Sequence, residues 1–143
     1  MPSYLVVANQ TLASPTLAAA VAERIAGGDA RFHVVVPATP ASRGFSWEEQ
    51  EAVAAAERRL DEVLGRLRVL GGEATGEVGS PDPVAAVQDA LRSMAFDEVI
   101  LSTLPPGISR WLGQDVPTRL RNAVTIPVEV VIAPRKVATK PAA

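Results

Sequence analysis

The chain has 143 residues, about one domain's worth, and its 14 Lys plus Arg against 16 Asp plus Glu leave a net charge of -2, offering no basic field to nucleic acid or an anionic membrane. With no cysteine and a single histidine, disulfides, thiolate metal sites, a Cys nucleophile and any site built on two imidazoles are excluded, and no metal is expected. Met1 leads straight into a strand without a charged-then-apolar leader, and no apolar run approaches the roughly 20 residues that span a bilayer, so a cytoplasmic protein is expected.

Tyr4 to Ala8 form a continuous apolar strand, and Asn9, Gln10 and Thr11 end it with residues suited to a turn. Ser14 before Pro15 reads as an N-cap with proline in the first turn. Leu17, Val21 and Ile25 then repeat at helical spacing until Gly27 and Gly28 stop the helix. A second β-branched run from Phe32 to Val36 ends at Pro37, which has no ladder donor to give.

After a loop rich in Pro, Ala and Ser, Ser46 and Glu49 have the spacing of a capping box and open the longest helix. Val53, Leu60, Leu64 and Leu67 mark its expected buried stripe, and Gly71 and Gly72 end it. Arg58, Glu62 and Arg66, at successive i, i+4 positions, read as solvated pairs rather than a site. Glu73 to Val78, thin in apolar residues and holding Gly76, suits a strand at a sheet edge. Gly79, Ser80, Pro81, Asp82 and Pro83 then lead into a helix carrying Val84, Val87 and Leu91.

Glu98 to Leu101 are a short buried-strand run, with Ser102 and Thr103 where it would emerge from a sheet. The loop from Leu104 to Gly113 combines Pro105, Pro106, Gly107, Arg110 and Trp111, and Asp115 and Pro117 open another helix. Val128 to Ile132 form the last strand. The chain from residue 134 on carries no apolar stripe and is expected to be a disordered tail.

Strands alternating with helices five times predict an α/β domain with a parallel sheet and helices on both faces. Ligands of such sheets bind beyond the carboxyl ends of the strands, where strand order reverses. That places weight on Asn9 and Thr11, Val36 and Pro37, and Ser102 and Thr103. His33 lies toward the other end of its strand and reads as structural, and Trp111 as a packing anchor for its loop. Arg110 leaves an ion pair, an anion or a partner open, and Asn9 is open between an Asx bond within its own turn and ligand contact. No serine has a histidine placed to activate it and no carboxylate pair stands at two strand ends, so a binding or signalling module is expected rather than an enzyme.

Three motifs, taken in order, resemble the universal stress protein family: Asn9-Gln10-Thr11 after the first strand, Gly79-Ser80-Pro81, and Leu112-Gly113 followed by a helix and Ile126-Pro127-Val128. The resemblance runs from Ser3 to Ala133. It implies one α/β domain over residues 1–133, five parallel strands in the order 3-2-1-4-5, and the adenine nucleotide alpha hydrolase-like architecture.

Many members of the family bind ATP, which makes ATP or AMP the ligand that the resemblance implies. Carried over, Asn9 takes a position that is acidic in the family, Val36 a backbone contact, and Gly113 with Gln114 a Gly-Ser pair closing a phosphate loop. The two other glycines of that loop are absent: Ile100 and Thr103 stand at their positions, and aligning the strand ends at Ser102 makes the loop about two residues short. Pro105 and Pro106 offer no N–H to a phosphate, and Asp115 adds a like charge, although Ser102, Thr103, Ser109 and Arg110 carry hydroxyls and a cation. Weak or absent ATP binding is therefore expected, in a cleft lined by Asn9, Val36, Ser102, Thr103, Gly107 and Arg110. The rival expectation is a structural homodimer that has lost the nucleotide and acts through protein partners. A dimer through Val128, Val130, Val131 and Ile132 of the last strand follows the family's mode, with Glu129 as a charge opposing such pairing.

Overall fold

The structure is a computed structural model that describes residues 1–9, 11, 12, 14–38, 46–106 and 109–134; at 46–49 and 110 only the backbone is described. The expected tail from residue 135 onward, and Gly107 in the predicted cleft, lie outside the described residues.

The elements follow the order β1 (Ser3–Val7), α1 (Pro15–Ala26), β2 (Arg31–Pro37), α2 (Ser46–Val69), β3 (Glu73–Gly79), α3 (Pro83–Ser93), β4 (Glu98–Thr103), α4 (Arg110–Gly113), α5 (Val116–Ala123) and β5 (Val128–Ile132). All four strand pairings are parallel, and the sheet order is β3-β2-β1-β4-β5, as expected. The one-turn helix α4 inside the predicted loop was not foreseen.

Alternation along the strands separates two apolar layers. Val6, Phe32, Val34 and Ile100 pack with Leu17 and Val21 of α1 and Leu60, Val63 and Leu67 of α2. Leu5, Val7, Val35, Val99 and Leu101 face the other way, onto Val84 and Val87 of α3 and Val116 and Leu120 of α5. Each large side chain buried this fully contributes about 1.5–3 kcal/mol relative to exposure. Trp111 packs partly buried on the second layer, as an anchor for its loop.

Helix boundaries follow their local chemistry. The Ser14 side chain accepts the N–H of Thr16 at 3.2 Å, and that of Asp82 accepts the N–H of Ala85 at 3.3 Å, capping α1 and α3. Asp115 precedes α5 as expected but does not cap it through its carboxylate: it sits at φ 56° in the left-handed region, with no side-chain cap bond. The buried stripe of α2 is Ala56, Leu60, Val63 and Leu67, whereas Val53, expected in it, is exposed. Geometry explains the difference. The 24 residues of α2 rise about 36 Å while the seven residues of β3 span about 23 Å, so the first turns of the helix overhang the carboxyl edge of the sheet. The capping-box side chains of Ser46 and Glu49 lie outside the described ones. Arg58, Glu62 and Arg66 are exposed, and among the described residues no ion pair links them.

Arg24 of α1 brackets the amino ends of the last two strands. It donates to Glu98 at 3.0 Å, pairs with Glu129 of β5, donates to the carbonyl of Ala20 at 2.9 Å and lies 5.4 Å from the ring centre of Tyr4. Burial works against its charge, but the hydrogen bonds with Glu129 and Glu98 outweigh that and raise its pKa above the ordinary guanidinium value.

Candidate crevice at the carboxyl ends of β1 and β4

The chain adds β2 and β3 on one side of β1 and then returns to place β4 and β5 on the other, so the order reverses between β1 and β4. The connections leaving these two strands depart to opposite faces of the sheet, α1 to one and α4–α5 to the other, and where they part is the place of the ligand crevice in sheets of this kind. Residues from β1, its following turn, β2, β4 and α2 meet there.

Two side chains after β1 tie the floor of this crevice together. Asn9 donates from Nδ2 to the carbonyl of Pro37 at 2.7 Å, joining β1 to the end of β2. Thr11 reaches the other neighbour: its Oγ1 lies 2.7 Å from Ser102 Oγ and donates to the Ser102 carbonyl at 3.1 Å. Both residues are buried. Among the described residues Asn9 makes no Asx bond within its own turn; the amide spans two strand ends instead. Its remaining oxygen accepts Nη1 of Arg59, a half-buried residue of α2. In the sequence Arg59 is marked only by its place beside Arg58 on a charged helix, and the one-residue offset from Arg58 is what turns it from solvent toward the sheet edge.

Ser102 and Thr103 are present at the expected place, but they are 1% and 2% exposed and their hydroxyls are engaged. Ser102 bonds Thr11, and Thr103 donates to the carbonyl of Leu104 at 3.0 Å. Ser109, expected to offer a hydroxyl to a phosphate, instead caps α4 by accepting the N–H of Leu112 at 3.1 Å. Val36 lies fully buried at the end of β2. Gly113 and Gln114 are exposed at the end of α4, and a Cβ at Gly113 would meet nothing within 4 Å. Arg110 begins α4, with only its backbone described.

Three described N–H groups after β4 are spent within their own segment. The N–H of Ser109 goes to the carbonyl of Pro105 at 3.0 Å, that of Gly113 to Ser109 at 3.1 Å and that of Asp115 to Leu112 at 3.1 Å. Pro105 and Pro106 have none to give. Among the described residues, the N–H groups of Ser109, Gly113 and Asp115 are thus not turned toward an anion.

His33 lies well below this edge. Its ring bonds Thr75 Oγ1 and Glu77 Oε2, each at 2.7 Å, and stacks on Phe96 with centroids 6.0 Å apart. It therefore ties β2 to β3. Among the described residues no group of three or more His, Asp or Glu side chains is placed to hold a metal ion, and no helix is long and apolar enough to cross a membrane.

No protein-family model and no curated protein matches this sequence at a significant level. Solved structures do. A protein from the universal stress protein family of Burkholderia pseudomallei superposes with a TM-score of 0.65 at 21% identity, over 90% of this chain and 93% of that one. The universal stress protein of Archaeoglobus fulgidus in complex with dAMP gives 0.62 at 18% identity, over 92% and 97%. A family member from Arabidopsis thaliana with AMP bound gives 0.64 at 8% identity, over 94% of each chain. The chain therefore has the universal stress protein fold.

Proposed function

We propose that this chain is a divergent universal stress protein that acts in the cytoplasm as a non-catalytic binding or signalling module, taking a nucleotide such as AMP, or another small anionic ligand, weakly in the crevice between β1 and β4. The observation that carries the reading is the reversal of strand order between β1 and β4, in a sheet whose solved counterparts include complexes with dAMP and AMP. A role in stress responses rests on that likeness of fold. Weak rather than tight binding of ATP is supported by the loop after β4, which lacks two of the family's glycines, holds two prolines and donates the N–H groups of Ser109, Gly113 and Asp115 internally. The non-catalytic reading is supported by the hydroxyls at the crevice: those of Thr11, Ser102, Thr103 and Ser109 are held by other oxygens or by the α4 amide, with no base bonded to them among the described residues. Mass spectrometry of the denatured, purified protein reads any retained nucleotide, and calorimetry with AMP and ATP reads the affinity. High-micromolar or weaker dissociation constants are expected; a low-micromolar constant for ATP would overturn the argument from the loop.

A second reading, a structural homodimer that has lost the nucleotide, is favoured by the free edge of β5. The N–H of Val99 donates to Pro127 O and that of Ala133 to Thr103 O, both at 2.9 Å, so residues 127, 129, 131 and 133 turn toward β4. Val128, Val130 and Ile132 consequently turn their N–H and C=O groups outward. Arg121 covers the Val128 carbonyl at 3.4 Å and Thr16 that of Ile132 at 3.0 Å, which leaves Val130 at the centre with both groups open among the described residues. Antiparallel pairing of two β5 strands about Val130 would join them reciprocally. Glu129, the charge that opposed such pairing in the sequence, is held by Arg24 of its own protomer.

A further inference from the structure

We propose that Arg59 is the anion-recognising residue of the crevice, so that a phosphate or carboxylate of the ligand docks on the β1–β2 side, beside Asn9, rather than on the loop after β4. This role rests on the binding-module reading above and names the group within that site that selects the ligand's charge. Three observations carry it.

First, Arg59 is the cation that α2 delivers to the floor of the crevice, fixed there by Asn9 Oδ1. The Asn9 amide cannot flip away, because its other end donates to Pro37 O at 2.7 Å. The guanidinium is therefore positioned before any ligand arrives, which removes much of the entropy cost of ordering a long side chain.

Second, the partner holding Arg59 is neutral. Among the described residues no carboxylate lies within 4.0 Å of it, whereas the guanidinium of Arg24 is paired with two. A half-buried guanidinium held, among the described residues, by one neutral acceptor has further N–H donors to offer a planar or tetrahedral oxyanion. An aspartate in place of Asn9 would pair with that charge; the asparagine bonds the guanidinium without neutralising it.

Third, described amides on the opposite side of the crevice are already engaged. The amides of Ser109, Gly113 and Asp115 are spent within their own segment and the prolines supply none. An anion entering the crevice thus meets its strongest described partner at Arg59.

The test compares three probes, adenosine, AMP and inorganic pyrophosphate, by calorimetry and by amide chemical shifts on the wild type, Arg59→Gln and Asn9→Asp. AMP is expected to bind more tightly than adenosine, and Arg59→Gln to weaken AMP roughly tenfold or more while leaving adenosine unchanged, as loss of a charged hydrogen bond requires. Asn9→Asp separates recognition from structure: the introduced carboxylate, paired with Arg59, should hold or raise the melting temperature while weakening AMP and pyrophosphate. A variant that binds weakly only because it is misfolded would melt earlier. If adenosine and AMP bind equally, the binding module stands and the role of Arg59 falls. If pyrophosphate alone binds and the binding is lost in Arg59→Gln, the anion site stands and the nucleotide falls. If none of the three binds the wild type, both proposals are overturned.

Discussion

Gly76 shows how the height of α2 over the sheet, and with it the reach of Arg59, depends on one missing methyl group. A Cβ at this position would lie 2.5 Å from Leu60 Cδ1 and 2.8 Å from the carbonyl oxygen of Val34. The first contact can be relieved by turning Leu60, though that side chain is buried; the second cannot, because Val34 O belongs to β2 inside the sheet. Overpacking of this kind costs about 1–3 kcal/mol, while alanine returns about 0.4–1 kcal/mol by restricting the unfolded chain. The net expectation for Gly76→Ala is a loss of about 1.5 kcal/mol. An unfolding entropy near 2.1 cal/mol/K per residue gives roughly 0.3 kcal/mol/K for this chain, so the melting temperature should fall by about 5 °C. Thermal denaturation followed by circular dichroism measures it. Leu60→Val, which removes the colliding Cδ1, should cost less in the Gly76→Ala background than in the wild type. A Gly76→Ala protein melting at or above the wild type, or strict additivity with Leu60→Val, would refute the argument from close approach.

Thr11→Val keeps the shape of the side chain but strands the buried Ser102 hydroxyl, and urea denaturation should read a loss of about 1–3 kcal/mol; a change well below about 0.5 kcal/mol would mean that the bond across β1 and β4 contributes little. His33→Ala removes the link from β2 to Thr75 and Glu77 and should cost about 2 kcal/mol of stability while leaving any AMP affinity unaltered, since the ring stands away from the crevice. Val130→Pro deletes an N–H that points away from β4, so the fold should persist by far-ultraviolet dichroism while sedimentation shifts from dimer to monomer; a wild type already monomeric at high micromolar concentration would sink the β5 pairing.

The fold was legible because its signals are repeated and local. Apolar runs of strand length, Ser14 and Asp82 at helix starts, and glycines at helix ends each act within a few residues, and the parallel alternation then leaves few topologies. The edge position expected for β3 from its weak pattern is what the sheet order shows. Gly76, which made that pattern weak, has its reason in another element: Leu60 of α2 presses on it. Val53 failed for a related cause. Helical periodicity says which face of α2 is apolar but not where the sheet beneath it ends, and Val53 lies on the overhang.

The site was less legible, because its residues are defined by what they touch across long separations. Asn9, Thr11 and Ser102 could be named from their positions at strand ends, and they do meet at the reversal of strand order. Their roles were another matter. A sequence offers each hydroxyl or amide as available, whereas burial obliges it to find a partner: Thr11 and Ser102 bond each other, and the Asn9 amide goes to Pro37 and Arg59. Arg59 escaped notice for the complementary reason: among several arginines on a charged helix only rotation about the axis decides which one leaves solvent, and that rotation is fixed by Leu60 seating over Gly76. The glycine that weakens β3 in the sequence is thus part of what brings a cation to Asn9. A ligand-recognising group in this fold can accordingly come from the helix packed on the far strand, with the strand's missing side chain as its sequence trace.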